Sequence, residues 1–189
     1  MEQFSVQQCY KPKEFGTIAN VQINHFCDAS EVGYGAVSYL RFIGTDSRVH
    51  CSSVMSKTPL APLKSLSVPH LELTATTLAV KPDKMLRKEL EVPINRSIFW
   101  TDSTSVLCYI ENEDKHFHTF VSNRLTMIHN GSTPYQWRYV ESKQNPSDAA
   151  SRGLPTKALL ESDSWKTGPD FLWQDELSWP TPPACREHI

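Results

Sequence analysis

Ser97-Ile98-Phe99-Trp100-Thr101-Asp102-Ser103 is a short, nearly continuous apolar run that closes on a carboxylate. A strand reads this way when both its faces are buried, as in the parallel strands of an α/β sheet. Upstream, Val21, Ile23, His25 and Cys27 alternate with Gln22, Asn24, Phe26 and Asp28 at period two, which predicts another strand. Glu31-Val32-Gly33 supplies a turn, Tyr34 to Ile43 a second strand, Gly44 to Ser47 a hairpin loop and Val49 to Ser56 a third strand, so these three form an antiparallel meander. Thr58 to Ser67 reads as a loop, and a helix follows from about His70 to Glu91. Leu71, Ala75, Leu78, Ala79, Leu86 and Leu90 lie near helical spacing there. Pro82 falls inside it and predicts a break or kink near Val80-Lys81, because proline forfeits a hydrogen bond and clashes with the preceding turn. Downstream, helices are expected over Ser103 to Ile110, capped by Asp102 or Ser103, and over Phe117 to His129, stopped at Gly131. A strand over Gln136 to Val140 and a short helix over Pro146 to Arg152 complete the pattern. The order β-β-β-α-β-α-α-β-α implies an α/β fold with a mixed sheet flanked by helices.

The chain has 189 residues, 19 Lys and Arg against 21 Asp and Glu, and a net charge of −2. That excludes a strongly basic nucleic-acid clamp, and an apolar fraction of 39% excludes wholesale disorder. No run approaches the roughly 18 apolar residues of a membrane span, and Met1 to Phe15 lacks a signal-peptide core, so a cytoplasmic or nuclear location and no membrane partner are expected. Cys9, Cys27, Cys51, Cys108 and Cys185 are odd in number and lack zinc spacing, which points to reduced thiols. His116 and His118 read as a solvated helix start, and Lys81, Lys84, Arg87 and Lys88 as a solvated helix face. Trp165, Trp173 and Trp179 lie in a Pro-rich tail and are expected to pack against the domain.

Four acidic residues stand where chemistry is placed. Asp28 ends the first strand, Glu72 lies in the first turn of the long helix, Asp102 follows the buried strand, and Asp148 opens the last short helix. If the strands ending at Asp28 and Asp102 are a parallel pair, both carboxylates emerge at the same sheet edge, where α/β sites form. Clustered carboxylates repel unless cations neutralise them, and all-oxygen donors select Mg²⁺ or Mn²⁺.

The succession FCDAS (26–30), PHLEL (69–73), FWTDS (99–103) and NPSDAASRG (145–153) resembles the ribonuclease H domain of long-terminal-repeat retroelement polyproteins, specifically the Bel/Pao branch. The resemblance runs from about Cys9 to Pro180. It implies a ribonuclease H-like five-stranded mixed sheet, three antiparallel strands and then parallel ones, flanked by helices. Residues 1–20 would then be a lead-in from a reverse-transcriptase connection, 21–153 the ribonuclease H-like domain, and 154–189 a Trp/Pro-rich extension toward an integrase region. It implies catalytic, metal-binding Asp28, Glu72, Asp102 and Asp148 holding two Mg²⁺ or Mn²⁺ ions. Asp28 would bridge them, with Glu72 and Asp102 on the leaving-group side and Asp148 on the nucleophile side. The implied reaction is endonucleolytic hydrolysis of the RNA strand of an RNA–DNA hybrid, recognised by minor-groove shape and 2′-hydroxyls, with Ser30, Ser103, Thr104 and Asn145 as substrate contacts. A reverse transcriptase domain, in cis or in trans, is the implied protein partner. Two features depart from that pattern. The loop Glu141 to Asn145 contains no histidine, so proton transfer falls to water or Lys143, and Pro82 interrupts the long helix. The competing expectation is a catalytically inactive module that binds nucleic acid or protein.

Other chemistries lack their residues. Asp28-Ala29-Ser30 is not the Asp-x-Glu of an editing exonuclease, and Thr101-Asp102-Ser103-Thr104 lacks the glycine of an aspartic protease. There is no G-x-S-x-G, H-E-x-x-H or P-loop.

Overall fold

A computed structural model describes residues 9–63, 66–112 and 117–183; Cys185 and His116 lie outside them. The predicted meander is β1 (Ile18–Ala29), β2 (Tyr34–Gly44) and β3 (Val49–Lys57), and the apolar run is β4 (Arg96–Thr101). With β5 (Trp137–Tyr139) they form one sheet in the order β3-β2-β1-β4-β5. β1 pairs antiparallel with β2 and parallel with β4, and β4 pairs parallel with β5. The expected α/β, five-stranded mixed sheet is therefore the fold. Helices α1 (Val68–Glu89), α2 (Thr104–Glu111), α3 (Thr119–His129) and α4 (Pro146–Arg152) connect and flank it, followed by α5 (Thr156–Glu161) and α6 (Asp163–Thr167). Among the described residues no helix is long and apolar enough to cross a membrane.

β1 is buried from Val21 through Asp28, on both faces. His25 and Cys27 turn to the α1 side, where Cys27, Leu71, Leu73, Ala75, Phe99, Val106, Val121, Leu125 and Trp137 share one core. Asn24, Phe26 and Asp28 turn to the other side. That face reads as half polar in sequence, yet the C-terminal segment covers it. Phe171, Leu172 and Trp179 join Phe26, Val37, Tyr39, Ile98 and Trp100 in a second core, with Trp100 ring centroids 4.8 Å from Phe171 and 5.3 Å from Trp179. The polar groups beneath the segment are engaged. Arg41 Nε donates to the Leu172 carbonyl (2.6 Å) and Nη2 to the Gln174 carbonyl (2.8 Å), while Glu176 accepts from Gln22 (2.7 Å) and Arg96 (2.6 Å). Arg41 also lies over the Trp179 ring at 5.1 Å. Of the three tail tryptophans, Trp179 is buried, Trp165 half-buried and Trp173 exposed.

The break expected at Val80-Lys81 does not occur, because α1 runs unbroken through Pro82. An interior proline costs about 3 kcal/mol, and the next residue supplies the compensation. His25, fully buried, bridges Ser38 Oγ (2.8 Å) and Asp83 Oδ1 (3.0 Å). Ser97 Oγ also donates to Asp83 Oδ1, and Arg87 Nε to Asp83 Oδ2 (3.2 Å). Burial pushes the Asp83 carboxyl up, but the hydrogen bonds from His25 and Ser97 and the Arg87 charge outweigh it and hold the group below its ordinary value. The proline turn is thus pinned to β1 and β4, with His25 tied onward to β2. Of the basic run, Lys81, Lys84 and Lys88 are exposed, as expected of a solvated face.

Because the C-terminal segment seals a core, its buried and exposed tryptophans should differ in consequence. Trp179→Ala is expected to lower unfolding free energy by about 3 kcal/mol, whereas Trp173→Ala, at a site 37% exposed, should cost less than about 1.5 kcal/mol. Urea denaturation of the two variants measures this, and equal losses would contradict the sealing role.

Candidate metal centre

Parallel pairing fixes the first two carboxylates. Phe26 is in register with Trp100, so Asp28 and Asp102, each two residues further on, leave adjacent strands at the same edge. Glu72 reaches that edge from α1. The helix begins at Val68 behind Ser67, with Pro69 in its first turn, so Glu72 lies two residues deeper in the helix than the expected start at His70 implied. Buried Leu71 and Leu73 on either side hold its backbone against the core. Asp28, Glu72 and Asp102 each offer a ligand oxygen, and these atoms all lie within 4.8 Å of one another.

Asp148 arrives on α4, which the strands admit because Gly35, the register partner of Asp28 on β2, has no side chain. A Cβ there would collide with the Ser147 carbonyl oxygen and stand 2.8 Å from the Ser151 amide nitrogen. Backbone therefore packs on backbone at this point. Ser151 Oγ donates to Asp28 Oδ2, and Ser142 Oγ donates to Asp102 Oδ2. Asp148 itself is not in the three-carboxylate group; its Oδ1 accepts from Arg152 Nε at 2.8 Å, one turn further along α4. The four carboxylates are thus brought to one edge, three of them into a common cluster.

The expected substrate contacts divide. Asn145 is buried, its Nδ2 donating to the Cys27 carbonyl (2.9 Å) and its Oδ1 accepting from the Ser147 amide (3.1 Å), so it staples α4 to β1. Ser30 Oγ donates to the Ser151 carbonyl (2.7 Å) and accepts from the Gly33 amide (3.1 Å). Ser103 caps α2, accepting from the Val106 amide (3.4 Å), and Thr104 is exposed. Sequence reasoning missed Gly35, Ser142, Ser151 and Arg152. Two of these lie inside NPSDAASRG, and the spacing of Arg152 four residues after Asp148 was the available signal for their pairing. Ser142 and Gly35 carry no such signal, because each matters only through a partner distant in sequence.

The electrostatics are those of a crowded acidic pocket. Burial first, then Asp28 and Asp102, pushes Glu72 up to about 8. Asp28 rises to about 6, through burial and the charges of Asp102 and Asp148, against the opposing hydrogen bond from Ser151. Glu72 Oε2 and Asp102 Oδ1 are buried without a hydrogen-bond partner. Buried polar atoms without partners are expensive, and a divalent cation would satisfy both. An all-carboxylate donor set suits the hard cations Mg²⁺ and Mn²⁺, so the residues fit such an ion.

These raised values set a pH dependence. A carboxyl whose folded value lies above its unfolded one contributes stability that is complete below the unfolded value and lost as pH rises through the folded one. For Glu72 that window runs from 4.5 to about 8. In EDTA, the melting temperature should fall across this range. Glu72→Gln should flatten the fall, and added Mg²⁺ should oppose it most at the alkaline end. Melting curves that ignore both pH and Mg²⁺ would contradict the pocket's electrostatics.

Comparison with known proteins follows the same line. The family model for the Pao retrotransposon-like RNaseH-like domain matches residues 1–103. Among solved structures, the N-terminal ribonuclease H domain of a Mycobacterium tuberculosis protein, fused to maltose-binding protein, is 10% identical with a TM-score of 0.44, the alignment covering 70% of this chain and 95% of that one. Ribonuclease H1 of the archaeon Halobacterium salinarum is 11% identical with a TM-score of 0.44, covering 70% and 94%. LC11-RNase H1, in a complex with an RNA/DNA hybrid, is 9% identical with a TM-score of 0.45, covering 74% and 99%. No curated protein matches the chain. The family match takes in more than half the chain, from β1 to the end of β4 and with Asp28, Glu72 and Asp102 inside it, and the chain belongs to the Pao retrotransposon-like RNaseH-like domain family.

Proposed function

We propose that this domain hydrolyses the RNA strand of RNA–DNA hybrids endonucleolytically, using two divalent cations, Mg²⁺ or Mn²⁺, held by Asp28, Glu72, Asp102 and Asp148. The observation that carries the reading is the convergence of Asp28, Glu72 and Asp102 ligand atoms within 4.8 Å at one sheet edge. In this reading all four carboxylates would hold the cations, Asp28 being shared by both, Glu72 and Asp102 serving the leaving-group side, and Asp148 the nucleophile side. When bound, the cations lower the pKa of an attacking water and neutralise the leaving oxygen. The chain's own groups do the positioning. Ser151 fixes one oxygen of Asp28 and Ser142 one oxygen of Asp102, whose other oxygen is buried without a hydrogen-bond partner. In this reading Ser103 and Thr104, at the start of α2, meet 2′-hydroxyls of the RNA strand, while Ser30 and Asn145 act by holding the turn and α4. With a net charge of −2, hybrid binding is modest and weakens with salt. A reverse transcriptase domain, in cis or in trans, would supply further grip on the duplex.

A second reading, an inactive module that binds nucleic acid or protein, is favoured by one observation: Asp148 is paired with Arg152 rather than joined to the other three. The two readings part on turnover. Purified protein incubated with labelled hybrid should cleave the RNA strand in Mg²⁺ or Mn²⁺ and be silent in EDTA. Asp28→Asn should reduce the rate at least ~10³-fold, roughly 4 kcal/mol of transition-state stabilisation, while its melting temperature in EDTA stays level or rises, since one repelling charge is removed. Affinity for hybrid without turnover would support the second reading, and cleavage that survives EDTA would overturn the first.

A further inference from the structure

The proposed reaction leaves Arg152, beside the cluster, without a part. Its side chain is 68% exposed and its Nε stands 2.8 Å from Asp148 Oδ1. It also lines a cleft with Ser30, Glu31, Val32, Val68 and Leu71, directly beside the strand end that carries Asp28. Among the described residues Arg152 is the only cation on that wall. Asp148 lies near enough to Asp28 to act on it by charge, and α4 beneath both is fixed by its contact with Gly35. Asp148 therefore stands beside the three-carboxylate group, outside it and paired with Arg152, on a helix whose seat on the sheet is fixed.

Resting on the nuclease reading, we propose that Arg152 is a positioning residue shared between Asp148 and a backbone phosphate of the nucleic acid. In the free domain its guanidinium holds Asp148 aside. A phosphate entering the cleft takes the guanidinium, and Asp148 is released to complete the cluster. The energetics suit an exchange of this kind. An exposed carboxylate–arginine pair at this spacing is worth roughly a factor of two in population, so it yields readily. The planar guanidinium matches a phosphate with two parallel hydrogen bonds, which gives the new partner the advantage. Completion of the cation site is thereby tied to the presence of substrate.

Two measurements on the full chain, neither of them turnover, test this. In calorimetric Mn²⁺ titration without nucleic acid, Arg152→Gln should bind about two-fold tighter than wild type, because Asp148 is no longer held off. In hybrid binding measured in EDTA across a salt series, Arg152→Gln should reduce the slope of log affinity against log salt by about one, the signature of one lost phosphate contact, and Arg152→Lys should restore it. A wild type that fails to bind hybrid overturns the nuclease reading and this inference with it. Hybrid binding with an unchanged slope in Arg152→Gln, or an unchanged Mn²⁺ affinity, overturns the inference alone.

Discussion

Asp28, Glu72 and Asp102 share a corner in which burial and neighbouring carboxylates raise the cost of ionising Asp28 and Glu72. A domain that needed only a stable core would fill such a corner with apolar side chains, because crowded charge opposes folding and leaves Glu72 Oε2 and Asp102 Oδ1 without partners. The surrounding architecture is arranged to sustain the crowding. β1 and β4 run parallel, so two strand ends deliver aspartates side by side. α1 is anchored through Asp83 to β1 and β4, and α4 is seated on Gly35 with Ser151 bonded to Asp28. Together these devices hold a crowded electrostatic arrangement that a divalent cation would relieve.

The same logic explains the two polar networks that span the sheet. On the α1 side, Ser38, His25, Asp83 and Ser97 form a continuous buried chain that Arg87 closes at the surface. On the other side, Arg41, Gln22, Glu176 and Arg96 tie the C-terminal segment across the strands. Buried polar groups are tolerated when satisfied, and a satisfied network permits few alternative packings. The sheet that presents the carboxylates is therefore clamped from both faces.

Most of this was legible in the sequence where the information is local. The apolar run ending at Asp102 and the period-two run ending at Asp28 announce the strands, and the three-strand meander reads directly from its turns. The errors arose where distant contacts override local preference. Pro82 is a helix breaker by itself, but a buried carboxylate one residue later is bound by groups contributed from 58 and 14 residues away, and the helix continues. The face carrying Asn24 and Phe26 gives no local sign that Phe171, Leu172 and Trp179 will cover it. At the site, four acidic residues were visible as candidates and the i,i+4 spacing allowed Asp148 to pair with Arg152, yet nothing local told that Asp148 would stand outside the three-carboxylate group, nor that Asn145 would be spent on the Cys27 carbonyl.

The central claim is that the three-carboxylate corner is a divalent-cation site. Crystals soaked in Mn²⁺ test it most directly, through anomalous scattering. The account predicts a Mn²⁺ peak bounded by the carboxylates of Asp28, Glu72 and Asp102. Mn²⁺ bound only elsewhere on the protein, with that corner holding no ion, would contradict it.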